Sequence, residues 1–561
     1  MKQVVKRASE LCAAALAGCT ALAGRTALAG CTALAGCTAL AGCIALAGCA
    51  VGPNYHTPDM RVPQRYAVAP AAVVPPDAFV PPAAGEQGSA GVTPVPQVDF
   101  AAWWRSLNDP ELDSLVDRAI KSNPDLEIAL DRLQAARTYE AGVVSSFLPD
   151  VQASAGAGRG TGSDLARGRA SQPLISADNT SGLQHINQVG GFDSVWELDL
   201  FGKLRREAQA ARYDTEALAA GRNGVLVSVI ADVVRAYVDL RGLQVRDAVL
   251  HAASDSLRES LRIVNIRYQR GITNELDVTL ATREFASLEA QIAPVEAQIG
   301  AAQYTIAVLL GRYPEDMVQE LASRSMVPAV PAVVDSGVPV DLLRRRPDMQ
   351  QAERELAGAT ARIGVATAEL FPQVALTGAI GYQRQDFGSA ATPALGKHIW
   401  SAGPAAVWPL LDFGALDAQV DIADLQTRAR LVGYRQTIQR AVEEVDSTVA
   451  SFNAQQIRLS KLDDAMVASQ RAVSLANQRY ERGLTDFLNV VDAEREEYDI
   501  EEQYTDAQVG AAEQFVALYR NLGGGWENYQ KLPPIRRPQP AVIAAFRRVL
   551  TRDTALQDPA P

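Results

Sequence analysis

Apolar residues recur along much of this chain at the spacing of an amphipathic α-helix. In the clearest run, Arg235, Asp239 and Arg241 fall on other faces, and the apolar face consists of Leu226, Val229, Ile230, Val233, Tyr237 and Leu240. Intervals of three and four residues place such side chains on one side of a helix. The pattern therefore predicts a helix with one buried face.

Proline is absent from two long windows of the chain, 174–293 and 410–532. Because proline is costly inside a helix, windows of this length indicate long uninterrupted helices. We predict one helix over 204–268 and a second over 416–480. Each would be about 100 Å long at a rise of roughly 1.5 Å per residue.

Both long helices are followed by a turn and a shorter helix. Each ends in an Arg-Gly pair, and glycine suits the left-handed residue that closes a helix. Further helical patterns give each half two shorter helices, predicted at 110–148 and 276–311 in the first half and at 347–370 and 488–521 in the second. A generic antiparallel coiled coil would show the same periodicity.

A period of two residues appears between the helices and argues against a simple coiled coil. In the second half Val374, Leu376, Ile380 and Tyr382 alternate with polar or small residues, and 151–158 and 192–200 show the same alternation in the first. Such alternation over about ten residues is typical of barrel strands with one apolar and one polar face. We predict a strand pair in each half, four strands per chain. Since about eight strands is the lower limit for a closed barrel, closure requires several chains.

The sequence is an internal duplication. WELDLFG at 196–202 returns as WPLLDFG at 408–414, and RYQRGITNELDV at 267–278 returns as RYERGLTDFLNV at 479–490, both after 212 residues. An earlier set, Pro124-Asp125 and Phe147-Leu148-Pro149, returns after 223 residues. A segment between these two sets therefore differs in length between the halves. Each half is one copy of the same supersecondary unit.

The amino terminus is an export signal. A basic start, MKQVVKR, precedes a run of Ala, Leu, Gly and Cys in which Leu-Ala-Gly-Cys occurs five times, ending at Cys19, Cys31, Cys37, Cys43 and Cys49. Leu-Ala-Gly-Cys resembles the lipobox at which bacterial lipoproteins are cut and diacylated on cysteine. A transmembrane anchor is disfavoured, because the run is rich in small residues and Arg25 interrupts it. Cys49 directly precedes the body of the protein, and Cys19 lies at an ordinary signal length; both are lipidation candidates.

Composition excludes several classes of function. The net charge of −12 argues against a nucleic-acid partner. All six cysteines lie in the first 49 residues, so neither disulfides nor cysteine-based metal sites hold the body together. The four histidines, His56, His185, His251 and His398, lack metal-ligand spacing. No nucleophile elbow and no GxxxxGK[ST] phosphate loop occurs, so we expect no enzymatic activity, no metal and no cofactor.

Several motifs resemble the outer-membrane efflux factor family of TolC-like channels, in particular its NodT-type lipoprotein branch. They are CAVGPNYHTPD at 49–59, WWRSLNDPELDSLVDRAIKSNPDLEIAL at 103–130, VPVDLLRRRPDMQQAERELAGATARIGVA at 338–366, the two RY-x-RG turns and ALYRNLGGGW at 517–526. The resemblance covers roughly residues 49–530. It divides the chain into a lipoprotein signal peptide with hexad repeats (1–48), a Pro-rich extended segment (49–98), a first efflux-factor repeat (99–311), a linker (312–337), a second repeat (338–528) and a tail (529–561).

The resemblance implies a homotrimer in the bacterial outer membrane. Three chains would contribute four strands each to one 12-stranded β-barrel, and internally duplicated helical hairpins would continue as an α-barrel into the periplasm. It implies an exit channel for tripartite efflux of small molecules such as antibiotics, anchored by lipid. A periplasmic adaptor and an inner-membrane pump of the RND type would be its partners. A duct for type I protein secretion and a structural coiled-coil lipoprotein are the alternatives.

The resemblance also implies a gate where the long helices turn at the periplasmic end. The family's aspartate pair falls on Asn489 and Asp492 in the second repeat, so only Asp492 matches. Asp277 is the first-repeat equivalent of Asn489. A ring of carboxylates on a threefold axis would favour cations; alternatively, both aspartates stabilise helix starts.

Four residues of the two turns are the predicted tips for adaptor contact: Tyr268, Gly271, Tyr480 and Gly483. The two tyrosines also have an alternative interpretation. They would pack between neighbouring hairpins or fill the hairpin core, and the core is the favoured of these two positions.

Overall fold

The computed structural model describes residues 50–67, 98–161, 184–323, 325–331, 339–386 and 395–529. These residues form two compact units. One unit consists of the described residues before Asn54 together with Ser146–Arg206 and Gly364–Val420. The other consists of Asn54–Ser145, Glu207–Ile363 and the described residues from Asp421 onward. Each sequence repeat contributes to both units.

The first unit contains an antiparallel four-stranded sheet. Its strands are β1 (Asp150–Thr161), β2 (Gln184–Leu198), β3 (Gln373–Asp386) and β4 (Leu395–Val407), and their order in the sheet is β1-β2-β3-β4. The alternating segments of the sequence therefore fold as strands, two from each repeat. The central pair, β2 and β3, joins the first repeat to the second.

The strand register carries the duplication. Asp150 lies opposite Val195 in the β1–β2 pair, and Gln373 lies opposite Val407 in the β3–β4 pair. Gln373 is the equivalent of Asp150 at the longer spacing, and Val407 is the equivalent of Val195 at the shorter one. The two repeats thus use the same register. The change in spacing falls on the connections β1–β2 and β3–β4, which lie partly outside the described residues.

Eight α-helices are described outside the sheet. In chain order they are α1 (Pro110–Ser122), α2 (Pro124–Ser145), α3 (Lys203–Gln269), α4 (Glu275–Leu309), α5 (Pro339–Arg345), α6 (Pro347–Ala368), α7 (Ala415–Glu481) and α8 (Leu488–Leu522). The long helices α3 and α7 have 67 residues each, and α4 and α8 have 35 each. Their ends agree with the sequence prediction to within about two residues, so the proline-free windows identified them well.

The predicted helix 110–148 is instead two helices, α1 and α2, separated at Asn123. The Asn123 side chain accepts hydrogen bonds from the amides of Asp125 and Leu126 at 2.9 and 3.2 Å, and it donates to the carbonyl oxygen of Leu309 at 2.8 Å. Asn123 is therefore the N-cap of α2, and Pro124 occupies the first helical position, where its missing N–H costs nothing. A periodicity count alone passes over such a break.

The core of the second unit is centred on two adjacent tryptophans. A 3-10 helix, Phe100–Leu107, places Trp103 and Trp104 in the interior, and each is 1% exposed. The Trp103 ring stacks on Tyr519 with 5.4 Å between ring centroids and meets Phe515 edge-on at 6.0 Å. This cluster ties the start of the first repeat to α8, the last helix of the second.

The apolar stripe predicted on α3 is buried, but Arg241 is not on a solvent face as its place in the pattern suggested. Arg241 is fully buried. Its guanidinium donates to Glu111 at 2.6 Å and to the Ser323 carbonyl oxygen at 2.5 Å. Because these acceptors come from segments distant in sequence, the local pattern gave no sign of them. Half of the apolar window of α3 that is long enough to cross a membrane is likewise buried inside the protein.

The described part of the Pro-rich segment, residues 50–67, is extended and forms neither helix nor strand. Within the second unit, the Tyr55 hydroxyl donates to Glu353 on α6 at 2.6 Å, and the Ala67 amide donates to Asp446 on α7 at 2.8 Å. This segment is therefore a strap fixed to two helices. The predicted strap continues to residue 98, and its part from 68 to 97 lies outside the described residues.

Candidate functional site

The turns α3–α4 and α7–α8, called here the hairpin tips, have the same geometry. Gly271 and Gly483 have φ of +68° and +70°, in the left-handed region. After each glycine a backbone N–H reaches back over the last helical turn, Ile272 to the Arg267 carbonyl and Leu484 to the Arg479 carbonyl, both at 2.9 Å. This is the glycine-dependent helix ending that the Arg-Gly pairs predicted.

The first carboxylate of the predicted gate, Asp277, serves a local role in its hairpin tip. Its amide donates to the Asn274 side chain at 3.1 Å, which caps α4, and its carboxylate accepts a hydrogen bond from Thr273. The second repeat preserves this contact without charge, because Asn489 donates to Thr485 at 2.8 Å. Asp277 and Asn489 are thus equivalent parts of a helix start, which favours the capping interpretation for both.

Asp492 occupies a different environment. It lies beyond the first turn of α8, its side chain is 53% exposed, and it faces Arg495 at 3.8 Å. The first turn of α8 contains no acidic residue. Helix capping therefore does not account for Asp492, which leaves its carboxylate available to solvent or to ions.

The two predicted tip tyrosines differ. Tyr480 is 7% exposed and packs against Phe487 with ring centroids 5.3 Å apart, so it fills the hairpin core. Its duplicate Tyr268 is 43% exposed, so the favoured core position holds for Tyr480 and not for Tyr268. The sequence analysis missed Arg267, whose guanidinium lies 4.4 Å from the centre of the Tyr480 ring. The RY pair in each turn was the available signal.

An acidic groove near the second tip also escaped sequence reasoning. It lies between α3, α4 and α8, and its acidic side chains are Glu284, Glu494, Glu497 and Glu501. Ser260 donates to Glu494 at 3.0 Å. Burial raises the pKa of Glu494 to about 6, and the charge of Glu497 raises it further, although the Ser260 hydrogen bond opposes this.

Glu494→Gln is therefore expected to stabilise the protein at pH 7.5 and not at pH 5. The folded-state pKa lies above that of an unfolded glutamate, so the ionised form costs stability once the pH exceeds about 6. We expect a gain on the order of 1 kcal/mol, because partial exposure screens the charge. Thermal unfolding at both pH values measures it. Glu496→Gln, an exposed neighbour, is the control, and an equal gain at pH 5 would contradict the assignment.

The chain immediately after Cys49 is held by the start of α3 within the first unit. The guanidinium of Arg206, which is 4% exposed, donates to the carbonyl oxygens of Val51 and Gly52 at 3.1 and 3.2 Å. The Val51 amide donates to the Phe201 carbonyl oxygen at 3.1 Å. Gly52 has φ of +87° and leaves no room for a side chain against Gly364. Cys49 and Cys19 themselves lie outside the described residues.

One group of side chains has metal-ligand spacing among the residues that the structure describes. Asp247, His251 and Glu296 have ligand atoms within 4.8 Å of one another, although the sequence gave no such spacing for His251. His251 and Glu296 are exposed, and His251 lies 3.6 Å from the Asp247 carboxylate, a distance that a protonated imidazole would use as an ion pair. The geometry alone does not require a metal.

Known proteins share both the sequence and the fold. The sequence profile of the outer membrane efflux protein family matches residues 115–312 and 338–524. "Nodulation protein T" of Rhizobium leguminosarum bv. trifolii is 29% identical over 487 residues, 86% of this chain and 95% of that protein. The "Solvent efflux pump outer membrane protein SrpC" of Pseudomonas putida is 30% identical over 422 residues, 75% of this chain and 86% of that protein. The solved outer-membrane channel OprN is 34% identical, with a TM-score of 0.72, over 86% of this chain and all of OprN.

The fold and these matches define an outer-membrane channel protein of an efflux pump. The chain belongs to the outer membrane efflux protein family, a family of channels rather than enzymes. It is located in the outer membrane and extends into the periplasm. The resemblance inferred from the motifs is confirmed.

Proposed function

We propose that three copies of this chain form one duct that a periplasmic adaptor and an inner-membrane RND-type pump load with small molecules. The observation that carries the proposal is the four-stranded sheet, whose outer strands β1 and β4 each have one edge without a partner strand in the chain. Backbone groups in a lipid environment must be paired, so a membrane-spanning sheet of this kind has to close with further copies.

The two faces of the sheet support its place in the membrane. Phe192 lies opposite Ile380, and Ile380 lies opposite Trp400. Residues directly opposite one another share a face, and these three are 60%, 66% and 79% exposed. The adjacent row has Gln152 opposite Asp193, and Ala379 opposite Ser401. One face is therefore apolar, as lipid requires, and the other is polar, as a water-filled interior requires.

The substrates of the proposed duct are small apolar or amphipathic compounds. Relatives are named for efflux of solvents, toluene and antibiotics and for pyoverdine export. Deleting the gene and restoring it, with its adaptor and pump, should respectively lower and recover resistance to such compounds. A strain whose resistance is unchanged by deletion, with no other outer-membrane channel present, would contradict the proposal.

The purified chain is expected to be a trimer. Native mass spectrometry in detergent should give three times the mass of the mature chain, because two open sheet edges per copy leave a monomer with unpaired backbone groups. A monomer with intact channel activity in lipid bilayers would refute the trimer.

The mature amino terminus is expected to be a diacylated cysteine, first of all Cys49. The clamp of Arg206 on Val51 and Gly52 supports this choice, because it holds the chain directly after Cys49. Mass spectrometry of the mature protein should show the lipid mass on Cys49 and its loss in Cys49→Ser. Lipid on Cys19 would select the alternative site, and an unmodified terminus would exclude both.

We also propose that Asp492 forms the acidic ring of the periplasmic gate, with Asn489 and Asp277 closing their own helix starts. Its exposure and its position beyond the first turn of α8 support this role. Tyr268 and the two tip glycines remain the proposed surface for the adaptor, since Tyr268 is exposed at the hairpin tip and both glycines leave open space around them.

A further inference from the structure

The register of the sheet carries information about contacts between copies of the chain. Strands β1 and β2 of the first repeat pair in the same way as β3 and β4 of the second, at the two spacings found in the sequence. The duplication is therefore preserved at the level of single residue pairs. This allows the junction between the two repeats to serve as a template for the junction between two copies.

The junction inside the chain, which we call the internal seam, is the β2–β3 pair. In it Ser194 lies opposite Gly378. Ser194 has its second-repeat equivalent at Ala406 on β4, and Gly378 has its first-repeat equivalent at Ala155 on β1. These two strands are the outer strands of the sheet, so a neighbouring copy would bring together the equivalents of the internal seam.

We infer that β4 of one copy pairs with β1 of the next in the register of the internal seam, with Ala406 opposite the partner subunit's Ala155. This inference rests on the proposed trimer and adds to it the residue-by-residue pairing of its three external seams. The same equivalence places Val407 opposite the partner subunit's Ser154 and Pro404 opposite the partner subunit's Ala157. All these positions follow from pairs already present in the chain, such as Val195 opposite Thr377.

An exposed phenylalanine at the end of β4 supports the same partner. At the internal seam Phe201 stacks on Phe371 with 4.8 Å between ring centroids. The second-repeat equivalent of Phe201 is Phe413, which is 98% exposed, and the first-repeat equivalent of Phe371 is Leu148, which is 68% exposed. The inferred register would bring Phe413 onto the partner subunit's Leu148. Two exposed apolar side chains would then cover each other, as their equivalents do within the chain.

The external seam would nevertheless be weaker than the internal one. Within the chain, Lys203 forms an ion pair with Glu369 at 3.2 Å beside the Phe201–Phe371 stack. The equivalents of Lys203 and Glu369 are Ala415 and Ser146, which carry no charge. Leucine in place of one phenylalanine also removes the ring stack. Separation of the assembled trimer should therefore begin between copies.

Cysteine cross-linking tests the register directly, because the sequence has no cysteine after Cys49. We would combine Ala406→Cys with Ala155→Cys in the full chain and oxidise isolated outer membranes. Directly opposite residues have Cα atoms about 4.5–5.5 Å apart, within disulfide range, whereas residues displaced by two are about 7–8 Å apart. Within one chain the two positions lie on opposite edges of a four-stranded sheet, roughly 14 Å apart, so a bond must join two copies.

Two matched pairs act as controls. Ala406→Cys combined with Ala153→Cys, or with Ala157→Cys, displaces the pair by two residues while keeping the same side of the strand. Ser194→Cys with Gly378→Cys places a disulfide at the internal seam, where an added Cβ at Gly378 meets only ordinary van der Waals contact. That variant should oxidise without any increase in mass on a denaturing gel.

The expected result is covalent dimer and trimer from the Ala155 pair, at least tenfold above either displaced pair. Stronger cross-linking of the Ala153 or Ala157 pair, with a trimer still seen by native mass spectrometry, would overturn the register but leave the proposed function intact. Absence of any trimer from the unmodified chain would instead refute the proposed function itself. A trimer in which none of the three pairs cross-links, while the internal pair does, would show that β4 and β1 do not meet.

Discussion

Replacing Trp103 by alanine is expected to lower the free energy of unfolding by about 3–5 kcal/mol, the range for loss of a large buried aromatic side chain. Trp103 is 1% exposed and contacts Tyr519, Phe515 and Trp104. The cavity would separate the 3-10 helix at the start of the first repeat from α8. Denaturant unfolding of the detergent-solubilised protein, followed by tryptophan fluorescence and near-UV circular dichroism, measures the loss.

A surface aromatic provides the control for this prediction. Tyr313 is 80% exposed, and Tyr313→Ala should change stability by less than about 0.5 kcal/mol. Trp103→Phe should fall between the two, because it keeps a ring against Tyr519. A loss below 1 kcal/mol for Trp103→Ala would show that this cluster does not hold the second unit together. The amount of channel in the outer membrane, and with it resistance, should follow the same order.

Asp492→Ala is expected to weaken cation block in single-channel recordings by about tenfold. In a trimer, three carboxylates would act on one ion in the constriction. At a separation of about 8 Å in water each contributes roughly 0.5 kcal/mol, and together about 1.5 kcal/mol. Conductance for small cations should fall in the same variant, since the local cation concentration falls with the charge. Recording at low and high salt separates this electrostatic effect from a change of shape.

The first repeat provides a natural control for the gate. Asp277→Asn copies the residue that the second repeat already has at Asn489, so it should keep the contact with Thr273 and leave cation block unchanged. Asp277→Ala loses that contact and should reduce stability by only about 0.3–1 kcal/mol. If Asp492→Ala and Asp277→Ala together leave conductance and cation block unchanged, the gate assignment is wrong for both residues.

Regular elements were predictable because they depend on local sequence. The absence of proline set the extent of α3 and α7, and the two-residue alternation at Val374–Tyr382 identified a strand. The break at Asn123 escaped because its cap depends on the Leu309 carbonyl oxygen, which lies far along the chain. Arg241 escaped for the same reason, since its acceptors are Glu111 and Ser323. Burial of a charged residue is decided by distant partners, which periodicity does not register.

The candidate site was predictable in position more than in role. The repeated turn located both hairpin tips, and the repeats made Asp277 and Asn489 equivalent. Their contacts with Thr273 and Thr485 depend on side-chain geometry, which only the structure supplies. The raised pKa of Glu494 comes from burial between three helices, and no local pattern announces it. Comparison of the two repeats is what separated Asp492 from the capping residues.

The strand register also has a consequence for the width of the pore. Asp150 lies opposite Val195, and Val195 lies opposite Thr377, whereas the duplicate of Asp150 is Gln373. Each pair of strands therefore advances the pairing by four residues. In a closed ring this advance inclines the strands by roughly 55° to the axis, given about 3.3 Å per residue and about 4.8 Å between strands, and this is steeper than the 35–45° of most barrels. Strongly inclined strands each cover more of the circumference, so twelve of them would enclose a bore of about 30 Å between backbones.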